Sequence, residues 1–101
     1  MIRHIVFWKM KENAEGASGQ ENAQKMVEKF FSLKGQIEGL VSIEAGVDFN
    51  KSDAAYDIAL VTTFNTVEDL NFYQTHPKHV AIVEFVRKVV EDRRVVDYVT
   101  E

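Results

Sequence analysis

Apolar and polar positions alternate at the start of the chain and then change period. Over residues 2–10, Ile2, His4, Val6, Trp8 and Met10 fall on one side and Arg3, Ile5, Phe7 and Lys9 on the other, the two-residue repeat of a strand. Residues 12–19 are polar and read as a loop, and Ser18 with Glu21 makes the signature of a capping box. Ala23, Met26, Val27, Phe30, Leu33 and Ile37 then recur at helical spacing, which predicts a helix to about Gln36 with Gly39 as its stop. Residues 40–49 and 56–64 read as two further strands joined by the turn Asn50-Lys51-Ser52-Asp53. Thr66, with Asp69 three positions on, caps a short helix through Tyr73. Pro77 marks a new start, because a proline in the first helical turn gives up an N–H that has no partner there. Val80, Ile82, Val83, Phe85, Val86, Val89 and Val90 form the apolar side of that helix, and residues 93–100 give a last strand.

The order β-α-β-β-α-α-β is an α+β, ferredoxin-like arrangement whose second helix is broken at His76-Pro77. It predicts a four-stranded antiparallel sheet with helices on one face. Such a sheet ordinarily shows water a polar second face. Here Ile5, Phe7, Ala59, Val61, Val96 and Tyr98 oppose His4, Leu60 and Asp97, so both faces are apolar. Covering the second face by a twofold copy, sheet against sheet, predicts a homodimer.

Composition narrows the partners. A chain of 101 residues is expected to form one domain over 1–101 around one core. A net charge of -4 argues against a general phosphate-binding surface and hence against nucleic acid. Without cysteine there is neither a disulfide nor a thiolate metal site. The run from Ile2 to Trp8 is interrupted at Lys9, too short for a signal peptide, and no apolar run reaches membrane-spanning length. A cytoplasmic protein without a membrane partner is expected.

Two polar residues break the apolar faces. His4 lies among Ile2, Val6 and Trp8, and Asp97 lies between Val95 and Val99. A buried carboxylate needs a partner. Asp97 has two sets to choose from: Arg93, Arg94 or a backbone N–H, or else the imidazole of His79, which a carboxylate orients and supports when protonated. His4 is either a satisfied core histidine or part of a cavity. Tyr73-Gln74-Thr75-His76-Pro77-Lys78-His79 holds two of the three histidines and the only proline at the helix break. There Tyr73 either packs in the core or converges on His79, and His76 either caps the next helix or faces a ligand. No carboxylate cluster completes a metal-ligand set around the histidines.

His4-Ile5-Val6-Phe7-Trp8-Lys9, Tyr73 with His76-Pro77-Lys78-His79, and Val95-Val96-Asp97-Tyr98 together resemble the stress-responsive dimeric α+β barrel (Dabb) family along essentially the whole chain. The resemblance implies ferredoxin-like protomers that pair their sheets into a barrel. Similarity to the plant polyketide cyclases of that family implies a catalytic base at His79, its support at Asp97, a substrate-orienting hydroxyl at Tyr73 and a pocket histidine at His4. The expected ligand-binding lining adds His76, Val6, Trp8, Phe30, Leu60, Thr62, Ile82 and Val83. Val83 stands where the cyclases have glycine, Val90 where they have tryptophan, Thr62 where they have valine and Phe30 where they have tyrosine, so the cavity should differ in shape. The implied function is binding of a small carbonyl-containing molecule, with cofactor-independent proton abstraction leading to aldol or cyclisation chemistry of lyase type. The alternative is a non-catalytic small-molecule-binding or structural stress-associated dimer.

Overall fold

The alternation in the first strand sorts its side chains between core and solvent. In the computed structural model, which describes residues 1–100, β1 (Ile2–Met10) buries Ile2, His4, Val6, Trp8 and Met10, while Phe7 on its other side is exposed. A two-residue period on a pleated strand can do nothing else once one face is covered. β1 is central in a four-stranded antiparallel sheet ordered β4-β5-β1-β6, with β4 at Leu40–Val47, β5 at Ile58–Phe64 and β6 at Val90–Val99. Register puts Val6 opposite Leu60 and Val95, and His4 opposite Thr62 and Asp97.

Three helices cover the buried face. α1 (Gly19–Phe31) starts at a reciprocal capping box, Glu21 N donating to Ser18 Oγ at 3.1 Å and Ser18 N to Glu21 Oε1 at 3.2 Å. Its Phe30 stacks on Trp8 with ring centroids 5.3 Å apart. α1 ends at Phe31, short of the expected Gln36. Leu33 and Ile37 remain buried, but they are held by successive tight turns, Leu33 N to Phe30 O and Gln36 N to Leu33 O. Apolar spacing thus persists beyond the helix. Gly39 has φ +88°, and a Cβ there would stand 2.8 Å from the Asp69 side chain, so only glycine lets the chain turn this close to Asp69.

The polar loop after β1 contains a small hairpin, β2 (Asn13–Ala14) and β3 (Ala17–Ser18), that the sequence reading missed. Glu15 and Gly16 both take positive φ, the geometry of a two-residue hairpin turn. Buried Asn22 on α1 fastens it through Nδ2 to Ala14 O at 2.9 Å.

α2 (Val67–Thr75) and α3 (Pro77–Val89) meet at His76, whose extended ψ of 134° interrupts the helix. The residue before a proline is pushed out of the helical region by the ring. β6 follows α3 with no intervening loop, three residues earlier than expected from Arg93, because Val89 is fully buried and its carbonyl accepts from Lys11 N at 2.9 Å.

The opposite face of the sheet has no helix over it. Phe7, Val96 and Tyr98 are exposed there, and Phe7, Phe49, Tyr56, Ala59 and Val61 border a concavity of about 500 Å³. Among the described residues no helix is long and apolar enough to cross a membrane.

Candidate active site between the sheet and the third helix

A second cavity, of about 430 Å³, lies on the helix-covered face between β1, β6 and α3. Strand period and helix period both converge on it. Val6 and Trp8 project from the buried side of β1 beside His4, Leu60 comes from the neighbouring β5, and Phe30 from α1. His79, Val83 and Arg87 reach it from α3 at four-residue spacing, with Val80 and Glu84 one position along.

Each of the two wall histidines is held by its Nδ1. The His79 Nδ1 lies 3.1 Å from the carbonyl oxygen of Gln74. A carbonyl can only accept, so Nδ1 bears the proton and Nε2 of the neutral ring keeps its lone pair. Burial lowers the pKa of His79 below the ordinary histidine value, opposed by the Gln74 carbonyl and reinforced by the nearby charges of His4, Arg93 and His76. His79 is therefore neutral at pH 7. His4, only 4% exposed, is hydrogen-bonded through Nδ1 to Asp97 Oδ1 across the β1–β6 ladder.

This corrects the expected pairing of Asp97. The carboxylate supports His4 rather than His79, because antiparallel register sets residues 4 and 97 directly opposite on the same face. His79 keeps its orientation by a main-chain contact instead.

Tyr73 converges on both rings from below. Its ring centroid lies 4.3 Å from that of His79 and 6.4 Å from that of His4. It is fully buried behind the wall, and among the described residues its hydroxyl has no hydrogen-bond partner. Burial pushes the phenol well above its usual pKa, so it remains a neutral donor.

Three expected lining residues lie elsewhere. His76 is spent on the helix start, its Nδ1 accepting from Lys78 N at 3.1 Å while its ring meets Phe72 edge-on. Thr62 is fully buried and donates to the His4 carbonyl at 3.3 Å, which serves the sheet and not the cavity. Ile82 is buried in the core with Val89 and is not on the cavity wall. His4, Val6, Trp8, Phe30, Leu60 and Val83 are on the wall as expected. The sequence reading missed Gln74, Val80, Glu84, Val86, Arg87 and Arg93; the three- and four-residue spacing from His79 through Val83 to Arg87 was the available signal. Among the described residues no group of three or more His, Asp or Glu side chains is placed to hold a metal ion.

A model of the stress responsive A/B barrel domain matches residues 2–100. The chain belongs to that family. An uncharacterized protein of Streptomyces coelicolor is 33% identical to it over 98 residues, covering 91% of this chain and 97% of that one. A dimeric protein of unknown function with a ferredoxin-like fold from Bacteroides fragilis superposes with a TM-score of 0.85 at 30% identity, covering 96% of this chain and 93% of that one. The hydroxynitrile lyase of Passiflora edulis shares the fold with a TM-score of 0.81 at 19% identity, covering 99% and 93% of the two chains. The A/B barrel domain thus has the expected ferredoxin-like fold.

Proposed function

We propose that this A/B barrel protein binds a small carbonyl compound in the 430 Å³ cavity and transfers a proton on it without a cofactor. The observation that supports this most is the fixed tautomer of His79: a neutral imidazole on a cavity wall, with Nδ1 engaged and Nε2 left basic. Such a group can take a proton from the carbon next to a carbonyl. The electron pair of that C–H bond moves to the carbonyl oxygen as an enolate, and Tyr73, whose ring packs against His79 and whose unpartnered hydroxyl is buried behind the wall, donates to that oxygen once the wall in front of it opens. His4, oriented by Asp97, positions the ligand through its own Nε2. The enolate carbon can then attack a second carbonyl in an aldol or cyclisation step, and the proton held on His79 returns to the new alkoxide.

The fold also carries a hydroxynitrile lyase in Passiflora edulis, and lyase-type chemistry fits a site built from imidazoles and a phenol. In our reading a second copy of the chain covers the exposed sheet face of Phe7, Val96 and Tyr98; the similar Bacteroides fragilis protein is dimeric.

Deuterium uptake tests the chemistry without knowing the natural substrate. In D₂O, β-keto esters and β-keto thioesters should lose α-proton NMR signal faster with the protein than without it. His79→Ala should return the rate to background; undiminished exchange in that variant rules out His79 as the base.

A further inference from the structure

The polar groups of the cavity differ in depth: His4 is buried and His79 half-buried, whereas Arg87, Arg93 and Glu84 belong to the exposed parts of the wall. Register explains Arg93. It stands opposite Trp8 in the β1–β6 ladder, so it shares the face that carries Val95 and Asp97, and its charge is felt at His79. Arg87 shares the α3 face of Val83, four residues before it.

Neither guanidinium has an acidic partner within ion-pair distance among the described residues. The bridges present are His4 with Asp97 and Arg94 with Asp92, the latter set by residues neighbouring in sequence on β6. The carboxylate of Asp97 is taken up by His4, and Glu84 is the one acidic side chain on the cavity wall. A chain of net charge -4 thus places two uncommitted arginines against one carboxylate on the cavity wall. Planar guanidinium groups that are not paired internally suit a carboxylate, sulfonate or phosphate oxygen.

Building on the proposed carbonyl site, we infer that its ligand is anionic: an apolar body carrying the carbonyl toward His79, with an acidic group held by Arg87 and Arg93. A carboxylic acid and a phosphorylated carrier thioester share this chemistry. The arginines act on binding and on the choice of ligand, and they leave the proton transfer itself to the histidines.

Two probes with the same ring system separate this inference from the carbonyl reading. 8-Anilinonaphthalene-1-sulfonate is anionic, and N-phenyl-1-naphthylamine is its neutral counterpart. Trp8 is the only tryptophan and lies on the cavity wall, so its indole N–H gives a single resonance that reports occupancy in ¹⁵N-labelled protein. The sulfonate should bind roughly 5- to 30-fold more tightly than the neutral amine, the sum expected of two partly exposed charge contacts. That preference should vanish in the double variant Arg87→Gln/Arg93→Gln and shrink in 0.5 M salt, while affinity for the neutral amine stays constant. Carboxylate- and phosphate-bearing acyl thioesters competing for the same resonance then identify which acid is preferred. Equal affinity for both probes in the native protein, or a preference that persists in the double variant, overturns the anionic ligand and leaves the cavity reading intact. Failure of both probes to move the Trp8 resonance overturns the two readings together.

Discussion

Asp97 stands opposite His4 across the β1–β6 ladder and accepts its Nδ1 proton, while His79, the other imidazole of the cavity, donates to Gln74. The two histidines are therefore oriented by independent contacts. Replacing Asp97 by Asn should move the ¹⁵N resonances of His4 strongly and those of His79 little. A large response at His79 with none at His4 would reverse the assignment of the carboxylate.

The neutral state of His79 gives stability a predictable slope with pH. Its pKa is lowered on folding, so the unfolded chain takes up the proton first as pH falls through the ordinary histidine value. Its contribution to stability is present above about pH 6.5 and declines below it as the folded pKa is approached. Glu21 and Asp92 also have lowered pKa values, but their losses begin only in the carboxylate range. Urea denaturation of the native protein and His79→Gln between pH 7.5 and 5 should show a steeper acid-side loss in the native protein. Parallel curves would mean that His79 is not held neutral.

Tyr73 carries a buried hydroxyl with no partner among the described residues. An unsatisfied buried donor costs about 1–3 kcal/mol, so Tyr73→Phe should raise stability by about 1 kcal/mol in chemical denaturation. The same change should slow α-proton exchange of a bound keto ester. Loss of stability in the phenylalanine variant would show that the hydroxyl is already satisfied.

His76 has a structural task. It accepts the Lys78 N–H at the start of α3, and losing a cap of this kind costs about 0.5–2 kcal/mol. His76→Ala should show that loss and His76→Asn should recover most of it, with probe binding at the Trp8 indole the same in both. A binding defect restored by neither variant would return His76 to the cavity.

Val96 is 56% exposed on the uncovered sheet face. If a second copy covers that face, equilibrium sedimentation of the native protein should give twice the 11.6 kDa chain mass, and Val96→Lys should shift it toward the monomer. A native monomer at micromolar concentration would leave the exposed apolar residues without a second copy.

Much of this architecture was legible because each strand and helix has a clean period. β1, the Ser18–Glu21 box and the start at Pro77 follow from residues that admit few alternatives. Boundaries were harder where burial outlasted regular structure: Leu33 and Ile37 keep helical spacing through turns, and Val90 continues the apolar pattern of α3 while already in strand. The Asp97 partner was missed for a different reason. His4 and Asp97 each interrupt an apolar run on one face of the first and last strands, and those strands are neighbours in a ferredoxin-like sheet. That juxtaposition is a long-range property, invisible to any local window, but recoverable once the topology is assumed.

The absence of a loop between α3 and β6 has a mechanical meaning. Val89 closes the helix, Val90 opens the strand, and the Lys11 N–H ties the junction to the end of β1. Helix roof and edge strand are thereby welded along one side of the cavity, like a book bound at its spine. At its other end the roof begins at the His76-Pro77 joint, where α2 gives way to α3. His79 is two residues past that joint and is held by Gln74 from the other side of it, so the break between the helices is what aims the imidazole at the cavity.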